Sequence, residues 1–178
     1  MNGVKASDYV FLPSLNYAKF RTRFLNDFEI PVINGERYDF IKNSYYGGAV
    51  DIYKPYGRHL YWYDVNSLYP YIMRNYPLPV GQPKIVVGDS SFIETIIKDE
   101  NKFSFVVVEI ECPDKRIVSF ILPKKTKKKN KFNSVEKTIG PVGKWGVVYT
   151  SIEILRGLEL GYKFKYYKCV YFNAQNSI

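Results

Sequence analysis

Apolar and polar residues recur at two different periods along the chain, which predicts both helices and strands. Near the amino end, residues 14–28 carry apolar side chains at near-helical spacing, and Ser14 is suited to cap the first turn. Near the other end, residues 162–172 begin by alternating aromatic residues with lysine, as a half-buried strand does. The pattern therefore predicts an early amphipathic helix and a late strand.

The sequence over residues 103–150 predicts strands joined by turns. Apolar runs at residues 103–112 and 116–122 predict two strands, and the Cys-Pro-Asp-Lys sequence between them predicts a hairpin turn. A further strand is predicted over Lys144–Thr150. We expect the lysine-rich stretch that follows residue 122 to extend or follow this hairpin.

The first half alternates polar connections with shorter elements. Residues 29–44 read as a polar connection, and residues 45–57 contain a Gly pair and a Pro-Tyr-Gly turn, which predict a hairpin or loop. An aromatic-rich strand is predicted over residues 59–65. A helix is predicted over residues 67–76, because Pro70 fits a first helical turn, where no amide hydrogen is needed.

Two further local signals complete the prediction of an α+β fold. The proline-rich residues 77–83 predict a stiff, extended connector. Thr150 and Glu153 have the spacing of a capping box, and Gly161 is a natural stop for the helix that they begin. No internal repeat accompanies these elements.

Composition narrows the class of protein. Lys and Arg number 26 against 17 Asp and Glu among 178 residues, and the formal charge of +9 favours a polyanionic partner. The distant Cys112 and Cys169 form no zinc site with the single His59, so we expect a reduced, intracellular protein. Without a signal pattern or a membrane-length apolar run, we expect a soluble protein with no membrane partner. Abundant Tyr, Phe, Lys, Ile and Asn suggest AT-rich codons and hence an organellar, linear-plasmid or viral gene.

Much of the positive charge is local. Six lysines fall within residues 124–131, and two interpretations of this run stay open: a solvated loop or a contact with nucleic acid. The candidate DNA-binding lysines are Lys124, Lys125, Lys127, Lys128 and Lys129.

A single carboxylate, Asp64, stands between the predicted strand and the predicted helix. A carboxylate at a strand end can bind a hard cation such as Mg²⁺, and the amides of a helix start can bind phosphate oxygens. That combination suits a nucleoside triphosphate with its magnesium ion. The alternative is structural: Asp64 only caps the helix, and Tyr69 is a core aromatic residue.

The particular residues around Asp64 resemble a known family. The sequence DVNSLYP at residues 64–70 resembles the first catalytic motif, Asp-x-x-Ser-Leu-Tyr-Pro, of family B DNA polymerases. Ending sixteen residues before Asp64, YYGG is similar to the Tyr-x-Gly-Gly segment that joins the proofreading and polymerase domains. The order of these two segments and the distance between them resemble those of the protein-primed branch of the family, found in organellar linear plasmids and viruses. FLPSLNYAKF at residues 11–20, and an insertion-like stretch after Pro79, extend the resemblance to nearly the whole chain.

The resemblance implies a role for each residue of the motif. Asp64 is expected to ligate catalytic Mg²⁺, the cofactor of the complete enzyme, with the Val65 carbonyl as a further ligand. Ser67, Leu68 and Tyr69 are expected to bind the nucleotide triphosphate. The Tyr69 ring is also expected to lie under the sugar, where it excludes a ribose 2′-hydroxyl.

The resemblance also implies that Tyr45, Gly47 and Gly48 approach the DNA, since glycine lets the backbone come close to phosphate. The overlapping sequence NSYYG at residues 43–47 also fits the core of the family's second catalytic motif. We reject that reading because Asp39 stands where that motif has lysine, and because the order of motifs is reversed.

The implied architecture is a partial polymerase palm over residues 1–79 and a small β-rich insertion lobe over residues 80–178. The lobe is expected to contact the priming terminal protein and DNA, and the complete enzyme to bind template, primer and dNTP. The lysine-bearing second motif and the Asp-Thr-Asp of the third motif do not occur in the chain. The chain therefore looks like the middle slice of a polymerase.

Three interpretations of this slice stay open. The first is a polymerase fragment that is inactive alone and depends on a companion polypeptide with the later motifs. The second is a non-catalytic module that binds nucleic acid or the priming protein. The third is a basic α+β RNA-binding protein whose motif matches arose by chance.

Overall fold

The computed structural model describes residues 4–25, 32–47, 54–113, 122–129 and 134–176. The chain divides into two compact units, Met1–Val32 and Ile33–Ile178. The described residues form a mixed α+β fold with five α-helices and six strands, as predicted. No helix in these ranges is long and apolar enough to cross a membrane.

The first unit contains a short 3₁₀ turn, Ala6–Asp8, and the helix α1, Leu12–Arg23. The predicted helix is confirmed, but it begins two residues before Ser14 and takes no side-chain cap from it. Pro13 lies in the first turn instead, where its missing amide hydrogen costs nothing. The helix ends at Arg23, its C-cap residue Phe24 is exposed, and residues 26–28 lie outside the described ranges.

The predicted polar connection over residues 29–44 is wrong for its second part, which forms the helix α2, Gly35–Asn43. Only a weak apolar stripe marks this helix in the sequence. Its charges complement the helix dipole, with Glu36 in the first turn and Lys42 in the last. Tertiary contact adds to this, because α2 contacts the strand Lys144–Thr150 and the Nζ of Lys168 lies 5.2 Å from the Phe40 ring centroid.

The strand predicted over residues 59–65 is not formed. The segment is irregular, its side chains are exposed, and His59 has a left-handed φ of 56°, which breaks an extended run. The helix predicted after it is confirmed as α3, Leu68–Asn75, with Pro70 in its first turn. Asp64 therefore precedes a helix, as expected, but does not end a strand.

One antiparallel sheet contains the strands β1 (Pro77–Val87), β2 (Lys102–Glu111), β5 (Lys144–Thr150) and β6 (Lys163–Asn176). Their order in the sheet is β1-β6-β2-β5. The predicted connector at residues 77–83 is wrong, because it is the first part of β1. This edge strand pairs with β6 and has an irregularity between Val80 and Lys84. Prolines are tolerated in such an edge strand, where an amide is not needed on the open side.

Two helices, α4 (Ser90–Lys98) and α5 (Ser151–Glu159), pack on this sheet and on each other. The capping box of α5 is confirmed, and Gly161 follows the helix with a φ of +87°. The α4 helix has no counterpart in the sequence prediction. The core between these helices and the sheet includes Ile93, Ile96, Ile97, Val106, Val108, Ile110, Tyr149 and Ile154.

The described part of the lysine run, Lys124–Lys129, forms a strand rather than a loop. Strand β3, Lys124–Lys129, pairs antiparallel with β4, Ser134–Ile139, and we call this two-stranded sheet the lysine hairpin. The strand predicted over residues 103–112 is confirmed as β2. Strand β2 pairs with β5 on one edge and β6 on the other, so the expected pairing with residues 116–122 is not found on β2. Residues 114–121 themselves lie outside the described ranges.

Candidate nucleotide and nucleic-acid site

Asp64 and the residues after it lie on an exposed segment. The N-cap of α3 is Ser67, whose carbonyl accepts a hydrogen bond from the Tyr71 amide at 2.9 Å. Asp64 is therefore not the cap, and Tyr69, at 81% exposure, is not a core residue. The structural alternative for both residues is wrong.

The start of α3 offers free backbone donors. The first amides of any helix lack an intrahelical acceptor, and here these belong to Leu68 and Tyr69, because Pro70 has no amide hydrogen. Ser67 adopts a left-handed conformation, with φ 53° and ψ 40°, and makes no side-chain cap. A non-glycine residue in this conformation stores about 1–3 kcal/mol of strain and is often found at functional sites. This end of α3 can therefore accept an anion.

The described residues do not assemble a complete metal site. Among them, no group of three or more His, Cys, Asp and Glu residues is placed to hold an ion. Asp64 and the carbonyl of Val65 would supply only part of the oxygen ligands that Mg²⁺ requires. Cys112 and Cys169 are free thiols.

The YYGG segment is described only in part. Tyr45 is 71% exposed. Gly47 has open space where a Cβ would lie and no left-handed φ, so neither packing nor backbone conformation requires glycine there. Gly48 lies outside the described residues.

Tyr46, which the sequence analysis did not single out, packs against the core. Its ring centroid lies 5.7 Å from that of Tyr149. Its hydroxyl is buried without a hydrogen-bond partner among the described residues. Burial, with a smaller contribution from the charge of Glu153, raises the pKa of Tyr46 well above its usual value of 10.0. Of the two adjacent tyrosines of YYGG, Tyr45 is therefore exposed and Tyr46 packs against the core.

Tyr149 connects this core to the start of the lysine hairpin. Its hydroxyl donates a hydrogen bond to the Pro123 carbonyl at 2.6 Å and accepts one from Nε1 of Trp145 at 3.3 Å. Nearby, Glu153 closes the capping box with Thr150. Burial raises the pKa of Glu153, and hydrogen bonds from the Thr150 amide and hydroxyl partly offset this effect.

The structure brings part of the lysine hairpin against the YYGG segment. The Nζ of Lys125 lies 5.5 Å from the Tyr46 ring centroid, within the range of a cation–π interaction. The side chains of Lys124 and Lys125 are half-buried. Lys127, Lys128 and Lys129 belong to β3 by their backbone, but their side chains lie outside the described part of the structure.

Comparison with known proteins matches nearly the whole chain to a family of DNA polymerases. Residues 4–178 match the family "DNA polymerase type B, organellar and viral". A probable DNA polymerase of Neurospora intermedia is 35% identical over 169 residues, which cover 92% of this chain and 16% of the relative. A probable DNA polymerase of Ascobolus immersus is 32% identical over 174 residues, which cover 97% of this chain and 14% of the relative.

A solved structure is also similar. The DNA polymerase of phi29 matches with a TM-score of 0.41 and 20% identity, over 64% of this chain and 19% of that one. The chain thus spans 16% and 14% of the length of the two curated relatives above. By the family match over residues 4–178, the chain belongs to the organellar and viral type B DNA polymerases.

Proposed function

We propose that this chain is the part of a protein-primed DNA polymerase that carries the first catalytic motif and the insertion after it. The observation that supports this most strongly is the solvent exposure of the motif residues. Asp64 and Tyr69 are exposed and have no capping or core role, although both residue types commonly take such roles at a helix start. A ligand-binding role accounts for them.

In this proposal, each motif residue acts on the incoming nucleotide. Asp64 contributes one carboxylate to the divalent metal site, with Val65 adding its carbonyl. Ser67, Leu68 and Tyr69 bind the triphosphate through the hydroxyl and the amides of the helix start. Tyr69 lies under the deoxyribose and excludes ribonucleotides. Magnesium would hold and polarise the phosphates, but its other ligands must come from outside the described residues.

The exposed apolar surface around the motif supports the proposal that the chain is a fragment of a larger polymerase. Large aromatic side chains here are almost fully accessible, with Trp62 at 94% and Tyr63 at 88% exposure. An apolar patch of this kind is typical of a surface that another part of a protein covers. We infer that residues 1–79 complete a palm only with further polypeptide that supplies the second and third motifs. Template, primer, dNTP and the priming protein are the partners, in an organellar, plasmid or viral setting.

A second candidate function is a non-catalytic module that binds nucleic acid or the priming protein. It is favoured by the second half of the chain, where the β1-β6-β2-β5 sheet and its two helices have a core of their own. We place the insertion lobe at residues 80–178, although the sheet itself begins at Pro77. The lysine hairpin would supply the binding surface of this lobe.

Primer extension tests the two functions. The purified chain is assayed alone and with a companion polypeptide that carries the later motifs, using a DNA primer–template, dNTPs and Mg²⁺. We expect no extension by the chain alone, and extension with the companion that an Asp64→Asn variant lowers by at least 10²-fold, the cost of removing one electrostatic contributor.

The matched control is Glu100→Gln, which removes a charge at another exposed position and should leave activity unchanged. Extension by the chain alone that Asp64→Asn abolishes would contradict the dependence on a companion. No extension even with the companion, together with retained DNA binding, would favour the non-catalytic module.

A further inference from the structure

Tyr46 lies between two regions that the sequence analysis treated as separate. One region is the backbone of Tyr45 and Gly47, both exposed. The other is the lysine hairpin, whose Lys125 amino group lies over the Tyr46 ring, 5.5 Å from its centroid. Tyr45 and Gly47 adjoin Tyr46 in the chain, so the Lys125 amino group and this exposed backbone lie on either side of one tyrosine ring.

Tyr149 contacts both Tyr46 and the residue before the lysine hairpin. The Tyr149 ring packs on the Tyr46 ring, while the Tyr149 hydroxyl donates to the carbonyl of Pro123, directly before β3. Tyr149 is fully buried and belongs to the core of the sheet. A displacement of the Tyr46 ring would therefore remove the contact that holds Lys125 beside the Tyr45–Gly47 backbone.

We propose that Tyr46 is a positioning residue that joins the Tyr45–Gly47 segment and Lys124 and Lys125 into one surface for the sugar–phosphate backbone of a DNA strand. This inference rests on the proposed function, since it concerns how the same chain holds nucleic acid. The ring face carries the effect, through the cation–π contact with Lys125 and the tilted contact with the Tyr149 ring. The hydroxyl, which has no partner among the described residues, contributes nothing to it.

The test measures binding of a fluorescent single-stranded DNA of about twenty nucleotides and mixed sequence, by anisotropy, at several salt concentrations. Tyr46→Ala removes no charge, yet we expect it to weaken binding about tenfold at low salt. We also expect it to flatten the slope of log K against log salt by about 0.7, which corresponds to one lost phosphate contact. Tyr46→Phe keeps the ring face and should leave both the affinity and the slope unchanged.

Two variants separate positioning from loss of stability. Ile97→Ala truncates a core residue of α4 and should destabilise the fold without changing the salt slope. Tyr46→Leu keeps apolar bulk but removes the ring face, and should flatten the slope as Tyr46→Ala does. If Tyr46→Ala does not fold, Tyr46→Leu decides the question.

A double-mutant cycle completes the test. Lys125→Ala should weaken binding in the wild-type chain and have a clearly smaller effect in the Tyr46→Leu chain, because the lysine is already displaced there. Full additivity, or an unchanged slope in folded Tyr46→Leu, would overturn the positioning role and leave the proposed function intact. No DNA binding by the wild-type chain at low salt would overturn this surface, whereas the polymerase role is judged separately by primer extension with the companion.

Discussion

A methyl group added at Gly157 should destabilise the fold, although glycine is a poor helix former. Gly157 lies inside α5, where the helix passes close to β6. A Cβ at this position would lie 2.6 Å from Cζ of Phe164 and 3.0 Å from Cδ1 of Leu122. Carbon atoms in favourable contact are about 3.5–4.0 Å apart, so the overlap amounts to about 1 Å. Leu122 is fully buried, which leaves its side chain little room to move.

Two opposing terms set the size of the effect. Overpacking a closely packed core costs about 1–3 kcal/mol. Replacing glycine by alanine in a helix interior contributes about 1 kcal/mol in the other direction. We therefore expect Gly157→Ala to lower the free energy of unfolding by about 1 kcal/mol, which corresponds to a decrease in Tm of roughly 2–4 °C.

Urea denaturation and thermal melting of the wild-type chain and the Gly157→Ala variant measure this difference in the free energy of unfolding. The matched control is Gly146→Ala in β5, where the nearest atom to the added Cβ is the Val108 carbonyl oxygen at 3.8 Å, an ordinary contact. That variant should be neutral or slightly more stable. If Gly157→Ala were as stable as the wild-type chain or more so, the close approach of α5 to Phe164 would not be a packing constraint, and the reasoning would be refuted.

Three further variants test the region around the capping box. Thr150→Ala should lower the free energy of unfolding by about 1 kcal/mol in urea denaturation, because the Glu153 amide loses its cap; an unchanged value would show that the cap contributes nothing. Burial raises the pKa of Glu153 above its ordinary 4.5, so the folded state holds this proton more tightly and stability falls as pH rises from below 4.5 through the raised pKa. Glu153→Gln should remove that loss, so its stability relative to wild type should increase between about pH 3.5 and pH 7; a constant difference would contradict the assignment. Tyr46→Phe should raise the free energy of unfolding by about 1 kcal/mol, since it removes a buried hydroxyl without a partner, and a decrease would point to a hydrogen bond at that hydroxyl.

Elements with strong local signals were predictable from the sequence. Strand β5 and the start of α5 match their predictions because a capping box fixes the boundary between them. The strand predicted over residues 59–65 fails for a different reason. Its aromatic residues favour extended structure, but a strand also needs a neighbour, and the described residues provide none for this segment.

Tertiary contacts decide the elements that the sequence analysis missed. The prolines of β1 predicted a connector, but an edge strand that pairs only with β6 accommodates them. The α4 helix did leave a signal: Asp89 caps it by accepting a hydrogen bond from the Phe92 amide, and Ile93, Ile96 and Ile97 recur at helical spacing.

Some features of the candidate site were likewise predictable from the sequence, and others were not. The residue types of the motif at Asp64 were sufficient to identify the family, because a seven-residue pattern is specific. Their exposure was not predictable, since a carboxylate before a helix is more often a cap. The role of Tyr46 was hidden because sequence does not show which of two adjacent tyrosines enters the core.

The order of pairing in the sheet has a consequence for the synthesis of the chain. Strand β6 is the last in sequence but lies between β1 and β2, and Pro77 pairs with Asn176. A ribosome adds about 5–20 residues each second, so β1 waits roughly 5–20 s for its partner to be made. During that interval the edge of β2 that later pairs with β6 is open, and an unpaired strand edge is a site at which a chain can aggregate. A chain that stopped before β6 would therefore leave β1 without its partner strand and β2 paired only with β5.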